Sequence, residues 1–169
     1  MTRVGEADAA STAEEAIRPA CPDDLDAVRR CAELAYRRYV AAIGRKPAPM
    51  VADFAAQIAA GRVDIAERGG MVLGFIVAYR RADHLHVENV AVLPQWQGRG
   101  WGRRMLAHVE ERARSAGIGA LELYTNEKMT ENLGFYPRLG FREVGRREED
   151  GFARVFFRKE LEPIPERSG

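Results

Sequence analysis

The residues most able to do chemistry in this chain lie between positions 84 and 106, where an alternating stretch leads into a glycine-rich turn. Gly98, Gly100 and Gly102 fall within five residues, and apolar residues at helical spacing follow them. A turn of this kind in front of a helix exposes backbone N–H groups at the positive end of the helix dipole. The pattern predicts an anion site, most naturally one for phosphate.

Candidate proton-transfer residues precede the turn. Glu88, His86 and His84 recur at every second position of a predicted strand, and Val90 and Val92 continue the same spacing. A carboxylate or imidazole row on one strand face can move protons, directly or through water. The same row is also compatible with a plain solvent-exposed face.

The elements that must position these residues alternate along the chain. The Gly69-Gly70 pair between two strand-like runs predicts a hairpin. Pro137 should kink or stop the last helix. Strands are predicted at 16–20, 62–67, 71–80, 84–92, 120–125, 141–147 and 152–161, and helices at 22–43, at 51–60, after Gly102, and at 131–136. The order βααβββαβαββ indicates one α/β domain at 15–162, with a flexible extension at 1–14 and a loose tail at 163–169.

Composition narrows the classes of function. The 169 residues carry a net charge of +1, so no global field attracts nucleic acid or an anionic membrane. The longest apolar run, 71–79, is far shorter than the roughly 20 residues that span a bilayer. Without a secretory signal, the expected location is cytoplasmic. Cys21 and Cys31 would lie roughly 15 Å apart on one helix, too far for a disulfide. No cluster with metal-ligand spacing is visible, so no metal is expected.

Two blocks together carry a family resemblance. The first is Val90-Ala91-Val92-x4-Gln97-x2-Gly100-x-Gly102, and the second is the segment YPRLGF at 136–141. They resemble the acetyl-CoA signature and the Y-x-x-x-G-F block of the GNAT acetyltransferase superfamily. The resemblance implies a mixed sheet of about seven strands flanked by about four helices.

The resemblance also implies acetyl-CoA as co-substrate. The glycine turn would hold its pyrophosphate, and main-chain groups of Val90 and Val92 would pair with the pantetheine arm. The alternative is a simple strand-to-helix turn with solvated arginines. The predicted cofactor residues are Val90, Ala91, Val92, Gln97, Gly98, Arg99, Gly100, Trp101, Gly102, Arg103 and Asn132.

Catalytic roles follow from the same resemblance. Tyr136 would be the general acid that protonates the departing thiolate, because a tyrosine keeps its proton at neutral pH. A tyrosine that only packs the core is the alternative. Glu88 is the leading candidate for the base or for an ammonium ligand, with His86 and His84 as a relay.

The acceptor is expected to be a primary amine of a small molecule or a peptide. The resemblance implies direct attack in a ternary complex. A catalytically silent acyl-CoA sensor is the alternative, and a homodimer is compatible with the family. Nucleic-acid binding is disfavoured because aromatic residues do not interleave with the arginines. The predicted substrate-binding residues are Tyr36, Tyr39, Met50 and Asn126.

Overall fold

Seven β-strands form one mixed sheet in the computed structural model, which describes residues 13–163 and 165. Neighbouring strands follow the order β1-β2-β3-β4-β5-β7-β6. The strands are β1 (Glu15–Pro19), β2 (Val63–Arg68), β3 (Met71–Arg81), β4 (His84–Val92), β5 (Ala120–Asn126), β6 (Arg142–Glu149) and β7 (Phe152–Glu160). The helices in the same residues are α1 (Leu25–Tyr36), α2 (Val40–Ile43), α3 (Phe54–Ala59), α4 (Trp101–Ser115) and α5 (Thr130–Arg138). The predicted fold class is confirmed, with α2 as a single extra turn.

The chain ends fall partly outside the described residues. Of the predicted extension at 1–14, residues 1–12 are not described, and of the predicted tail at 163–169, residues 164 and 166–169 are not. The carbonyl of Glu14 accepts the N–H of Gly69 at 2.8 Å. The last residue of the predicted extension is therefore held against the β2–β3 hairpin.

Tight turns and helix caps explain where several elements begin and end. Gly69 and Gly70 have φ of +57° and +79°, the left-handed conformation that a two-residue hairpin needs, and they join β2 to β3 as predicted. The helix predicted from position 51 begins instead at Phe54, because the Asp53 side chain accepts the Ala56 N–H at 3.1 Å and caps it.

Two other helix predictions need correction. The helix predicted at 22–43 divides after Tyr36 into α1, a 3-10 turn and α2. Pro137 lies inside α5, one residue before its end, so the helix continues slightly further than predicted.

The helices cover the two faces of the sheet. Gly74 and Phe75 are neighbours on β3 and therefore point to opposite faces. The Phe75 ring packs edge-on against Phe54 of α3 at 5.3 Å. A Cβ on Gly74 would lie 3.1 Å from the Met105 side chain of α4 and 2.8 Å from the Ala91 carbonyl oxygen. Glycine is therefore needed where α4 approaches the sheet. The predicted apolar stripe of α4 is buried: Met105, Leu106, Val109 and Ala113.

Strand β4 contains a bulge that sequence periodicity did not reveal. Against β3, Val77 pairs with Asn89 and Ala78 pairs with Val87, so Glu88 is the extra residue. His86 faces Tyr79 and Val90 faces Ile76. Because those two partners are three residues apart, His86 and Val90 lie on opposite faces of the sheet. The prediction of one continuous row from His84 to Val92 is therefore wrong.

Both cysteines are free thiols. Cys21 is exposed, and Cys31 is buried under the sheet, where desolvation raises the pKa of its thiol to about 12. None of the described helices is long and apolar enough to cross a membrane.

A buried histidine makes the stability depend on pH. His86 is 5% exposed and packs against the rings of Tyr79 and Tyr124 at 5.4 and 5.6 Å. Burial, with smaller contributions from the charges of Arg81 and His84, lowers the pKa of His86 from 6.5 to about 4. The imidazole is therefore neutral in the folded protein at pH 7.

We predict that the free energy of unfolding falls as the pH decreases from 6.5 to 4, since only the unfolded chain readily binds a proton at His86. The loss should reach roughly 3 kcal/mol, and His86→Phe should lack it. Urea denaturation of both proteins between pH 7 and 4 measures the difference. Parallel curves for the two proteins would contradict a buried, neutral His86.

Candidate active site

The centre of the site is a gap between two parallel strands. β4 and β5 pair only through Leu85–Leu121, His86–Glu122 and Val87–Leu123, and they separate beyond that point. The N–H of Leu93 bonds to the carbonyl of Leu73 at 2.8 Å, so Leu93 faces β3. By alternation, Val90 and Val92 direct their main-chain groups away from β3 and into the gap.

Two side chains already contact the carbonyls in the gap. The Tyr36 hydroxyl lies 2.8 Å from the carbonyl oxygen of Val90, and the Gln97 amide donates to that of Val92 at 2.9 Å. Gln97 thus fastens the glycine turn to β4. Each carbonyl retains a second lone pair, and the N–H groups of Val90 and Val92 have no strand partner in the described part of the chain.

The glycine turn presents an uncapped helix start. Gly98 and Gly100 have φ of +75° and +85°, which residues with a Cβ rarely adopt. The Arg104 N–H bonds to the Gly100 carbonyl at 3.0 Å and closes the first turn of α4. Within residues 13–163 no side chain caps this helix, so its first N–H groups remain available to an anion.

Gly102 has a different role from the other two glycines. Its φ is ordinary, and a Cβ there would lie 3.6 Å from the Cζ atom of Phe135 on α5. That distance is an ordinary van der Waals contact, so only a side chain larger than alanine at position 102 would press against α5. The helices α4 and α5 form two walls of a groove. The edge of β4 also lines this groove, and about 1140 Å³ of non-protein space lies in it, part of it open to solvent.

Three arginines line the groove. Arg103 comes from α4, as predicted, whereas Arg38 and Arg138 approach from the opposite side and were missed. Arg38 also pairs with Glu131 at 2.7 Å. Sequence spacing could not bring these residues together, because they lie on three separate segments.

The remaining basic and aromatic residues of the turn have other contacts. Arg99 stacks on Trp96 at 4.8 Å, and Arg104 stacks on Trp101 at 4.0 Å and pairs with Glu15 at 3.4 Å. The Trp101 ring is buried in the core. At Trp101, only the main chain is therefore well placed for an anion.

A second cavity, the inner pocket, adjoins the groove; about 540 Å³ of non-protein space lies in it, part of it open to solvent. Glu88, Asn89 and the loop 47–49 belong to the inner pocket alone. Four residues line both cavities: Tyr36, Val90, Asn132 and Tyr136. The groove and the inner pocket therefore meet at these four side chains.

Tyr136 is buried at this junction. Its ring packs against Phe135, Phe141 and Phe157 with centroids 5.3 to 5.7 Å apart. Burial, with a smaller effect of Tyr39, raises the pKa of Tyr136 well above its usual value of 10. The hydroxyl consequently keeps its proton across the neutral range.

Glu88 is held in place by two donors that sequence analysis missed. The Gln57 amide of α3 donates to one carboxylate oxygen, and the Tyr79 hydroxyl donates to the other at 3.3 Å. Gln57 lies 31 positions from Glu88 in the chain, so no local pattern could have linked them. The bulge at Glu88 directs its side chain towards α3 and the inner pocket.

Asn89 leaves one amide atom unpaired beside the inner pocket. It is 4% exposed, and its Oδ1 lies 2.6 Å from the Tyr36 hydroxyl, whereas Nδ2 has no partner among the described residues. The hydroxyl has one proton and two neighbouring acceptors, Asn89 Oδ1 and the Val90 carbonyl. This arrangement favours the opposite amide orientation, in which Asn89 donates to Tyr36 and its oxygen faces the pocket.

The predicted substrate residues are distributed unevenly. Tyr36 lines both cavities, Tyr39 lines the groove, and Asn126 lines the inner pocket while its Oδ1 accepts the Lys128 N–H at 2.9 Å. The predicted substrate residue Met50 does not lie at either cavity, because its side chain packs against the core. The stiff 47–49 segment of the same loop forms the pocket wall instead.

The other predicted polar residues separate into two groups. Asn132 donates to the Thr125 hydroxyl at 3.0 Å, which fixes it at the junction of the cavities. His84 contacts Asp83 at 3.1 Å and Glu122 at 3.0 Å. Neither His84 nor the buried His86 lines the inner pocket, so the predicted histidine relay is not assembled.

One buried arginine of the inner pocket was also missed. Arg154 on β7 is 8% exposed, and its guanidinium lies 4.3 Å from the centre of the Tyr124 ring. It pairs with Glu149 at 3.0 Å. The alternating sequence of this hairpin does not show which of its two faces is buried. The burial of Arg154 is therefore visible only in the folded protein.

Comparison with known proteins agrees with this geometry. An aminoalkylphosphonate N-acetyltransferase of Salmonella typhimurium is 36% identical over 86 residues, which are 47% of this chain and 55% of that protein. An IAA acetyltransferase of Azospirillum brasilense is 32% identical over 83 residues, 48% of this chain and 54% of that protein. The chain thus matches about half the length of these curated relatives.

Solved structures show the same fold at lower identity. The PaiA N-acetyltransferase of Thermoplasma acidophilum, in complex with coenzyme A, has a TM-score of 0.75 and 17% identity, covering 88% of this chain and 99% of that chain. An IAA acetyltransferase of Bacillus cereus has a TM-score of 0.66 and 22% identity, covering 88% and 100%.

The family model of the acetyltransferase (GNAT) family matches residues 28–141, well over half of the chain. This range contains the glycine turn, the bulged strand β4 and the Tyr136 segment. The chain belongs to the GNAT acetyltransferase family.

Proposed function

We propose that this protein transfers an acetyl group from acetyl-CoA to a primary amine by direct attack in a ternary complex. The observation that carries the proposal is the meeting of the groove and the inner pocket at Tyr36, Val90, Asn132 and Tyr136. A donor in the groove and an acceptor in the pocket would bring their reacting atoms together there.

The residues of the groove fit the donor. The uncapped start of α4 and the left-handed glycines Gly98 and Gly100 suit a pyrophosphate, and Arg103, Arg38 and Arg138 would balance its charge. The N–H groups of Val90 and Val92 suit the amides of a pantetheine arm, in the manner of an added strand. Acetyl-CoA supplies the acetyl group as a thioester.

Glu88 and Asn89 suit the amine. A lysine-like amine with a pKa near 10.4 requires about 4.6 kcal/mol to lose its proton at pH 7. Glu88, fixed by Gln57 and Tyr79, would accept that proton, and the Asn89 oxygen would orient the remaining N–H groups.

Tyr136 would supply the proton for the leaving sulfur. A phenol with a raised pKa is a weak acid, and proton transfer to a thiolate of ordinary basicity would be unfavourable. Burial in this protein also raises the pKa of a thiol, as it does for Cys31, to about 12. A thiolate released beside the buried Tyr136 would also be more basic than one in water, which narrows the mismatch between the two groups.

The proposed step then balances. A bond forms between the amine nitrogen and the acetyl carbon, and the carbon–sulfur bond breaks. The ammonium first loses one proton to Glu88, which releases it to solvent. As the amide forms, the nitrogen loses a second proton to Glu88 while the Tyr136 proton goes to sulfur, and exchange with solvent then restores Tyr136 and Glu88. Neither cysteine lines the groove or the inner pocket, which supports transfer without an acyl-enzyme.

The names of relatives support an amine acceptor and leave its size open. One acts on aminoalkylphosphonates, and another, from Haemophilus influenzae, on an alanine of a ribosomal protein. Release of free coenzyme A with a panel of amines tests the proposal. Saturable binding of acetyl-CoA with no acetylation of any amine would favour the alternative, a silent acyl-CoA sensor.

We predict that Gly102→Leu weakens acetyl-CoA binding by at least about tenfold, since the new side chain would meet Phe135 across the groove. Isothermal titration calorimetry measures the affinity. Gly134→Leu is the matched control, because a Cβ on Gly134 of α5 meets nothing within 4 Å. An unchanged affinity in Gly102→Leu would exclude this groove as the donor site.

We predict that Tyr136→Phe lowers kcat by about 100-fold or more while KM for acetyl-CoA changes little. The phenylalanine ring retains the packing against Phe141 and Phe157, so the melting temperature should stay close to that of the wild type. Steady-state kinetics and thermal unfolding provide both readouts. A wild-type kcat would remove Tyr136 from the mechanism.

We predict that Glu88→Gln lowers kcat/KM by about 100-fold or more and changes its pH dependence. Without the base, only free amine reacts, so the rate should rise about tenfold per pH unit below the amine pKa. The wild-type profile should be flatter near neutrality. Glu111→Gln, an exposed change on α4, is the control. Identical profile shapes for Glu88→Gln and the wild type would assign the base elsewhere.

A further inference from the structure

A buried arginine gives the inner pocket a positive charge. Arg154 has only 8% of its surface exposed and lines the pocket together with Tyr124 and Phe152. Its contacts to carboxylates use one nitrogen, Nη1, which lies 3.0 Å from Glu149 and 3.6 Å from Asp150. Nε and Nη2 form no hydrogen bond with the described residues. The guanidinium therefore retains donors for a further anion.

The partners of Arg154 compensate its charge only in part. The side chains of Glu149 and Asp150 are 37% and 83% exposed, so water screens both carboxylates. A buried guanidinium is costly unless its donors are satisfied. A ligand anion in the pocket would use the remaining donors, and the planar guanidinium matches a carboxylate or phosphonate.

A negative charge lies elsewhere in the same pocket. Glu88 and Arg154 both line it, and Tyr124 is within the electrostatic reach of both. Burial raises the pKa of Tyr124, Arg154 lowers it, and Glu88 raises it. The inner pocket is therefore polarised, with Glu88 on β4, two positions before the junction residue Val90, and Arg154 on β7, the strand beyond β5.

We propose that the acceptor is a small primary amine that also carries an anionic group, a carboxylate or a phosphonate. The amine would face Glu88 and Asn89, and the anionic group would face Arg154. This inference rests on the proposed acetyltransferase function and adds the chemical class of the acceptor.

The test compares three primary amines that share an aminoethyl group and differ in whether the terminal group is anionic. β-Alanine and 2-aminoethylphosphonate carry it, and propylamine is the neutral analogue. Coenzyme A release should give a kcat/KM at least about tenfold higher for one or both anionic amines than for propylamine. The two anionic arms distinguish a carboxylate from a phosphonate. Acetylation of propylamine as efficiently as both anionic amines would overturn the inference and leave the acetyltransferase function intact.

Variants assign the preference to Arg154. Arg154→Gln should lose about 10- to 100-fold in kcat/KM for the preferred anionic amine and change little for propylamine, and Arg154→Lys should retain part of the preference. Arg147→Gln is the matched control, because Arg147 is an exposed arginine of the same hairpin that stacks on Phe156. Equal losses for both kinds of amine in Arg154→Gln would indicate a structural role and overturn the inference.

Should Arg154→Gln not fold, Arg154→Lys and the wild-type preference decide the question. Binding of acetyl-CoA without turnover of any amine would instead refute the proposed function itself.

Discussion

The separation of β4 and β5 after the Val87–Leu123 pair is the constraint on which the rest of the site depends. Parallel strands normally bond along their whole length, and a buried N–H without a partner is costly. Here the gap is bordered on one side by a bulged strand that has already turned Glu88 towards α3. The main-chain carbonyls of Val90 and Val92 therefore contact side chains of other elements, and their N–H groups remain available to a ligand. The fold thus keeps an open strand edge inside the molecule, where the donor would bind as an additional strand in the proposed function.

Burial determines the proton chemistry around this gap. The same desolvation that keeps the Tyr136 proton in place raises the basicity of a thiol in the interior, as Cys31 illustrates. In the proposed mechanism, burial therefore shifts the pKa values of acid and leaving group in the same direction. Glu88 differs, because two donors hold its carboxylate at the side of the inner pocket. Both proposed proton-transfer residues line the inner pocket, and Tyr136 also lines the groove.

Local features were predictable from the sequence. Four features depend on residues close together in the chain, and the structure contains each of them. They are the glycine turn, the apolar stripe of α4, the Gly69-Gly70 hairpin and the order of helices and strands along the chain. Helix ends were less predictable: Asp53 caps α3 later than periodicity suggested, and α1 ends at Tyr36, whose hydroxyl reaches β4. Met50 lies in the predicted loop but packs inward, because periodicity does not show which residues of a loop face a cavity.

The sequence by itself determined the family blocks, the anion-binding turn and the identity of Tyr136 and Glu88 as candidates, since each rests on residue type and short spacing. Only the tertiary structure decided which groups meet. The bulge at Glu88 placed His86 on the opposite face from Val90, packing brought Gln57 and Tyr79 to Glu88, and β7 carried Arg154 into the inner pocket. Such meetings depend on strand register and on contacts between segments far apart in the chain. A one-residue shift in register reverses the face of every later side chain, and periodicity alone cannot detect it.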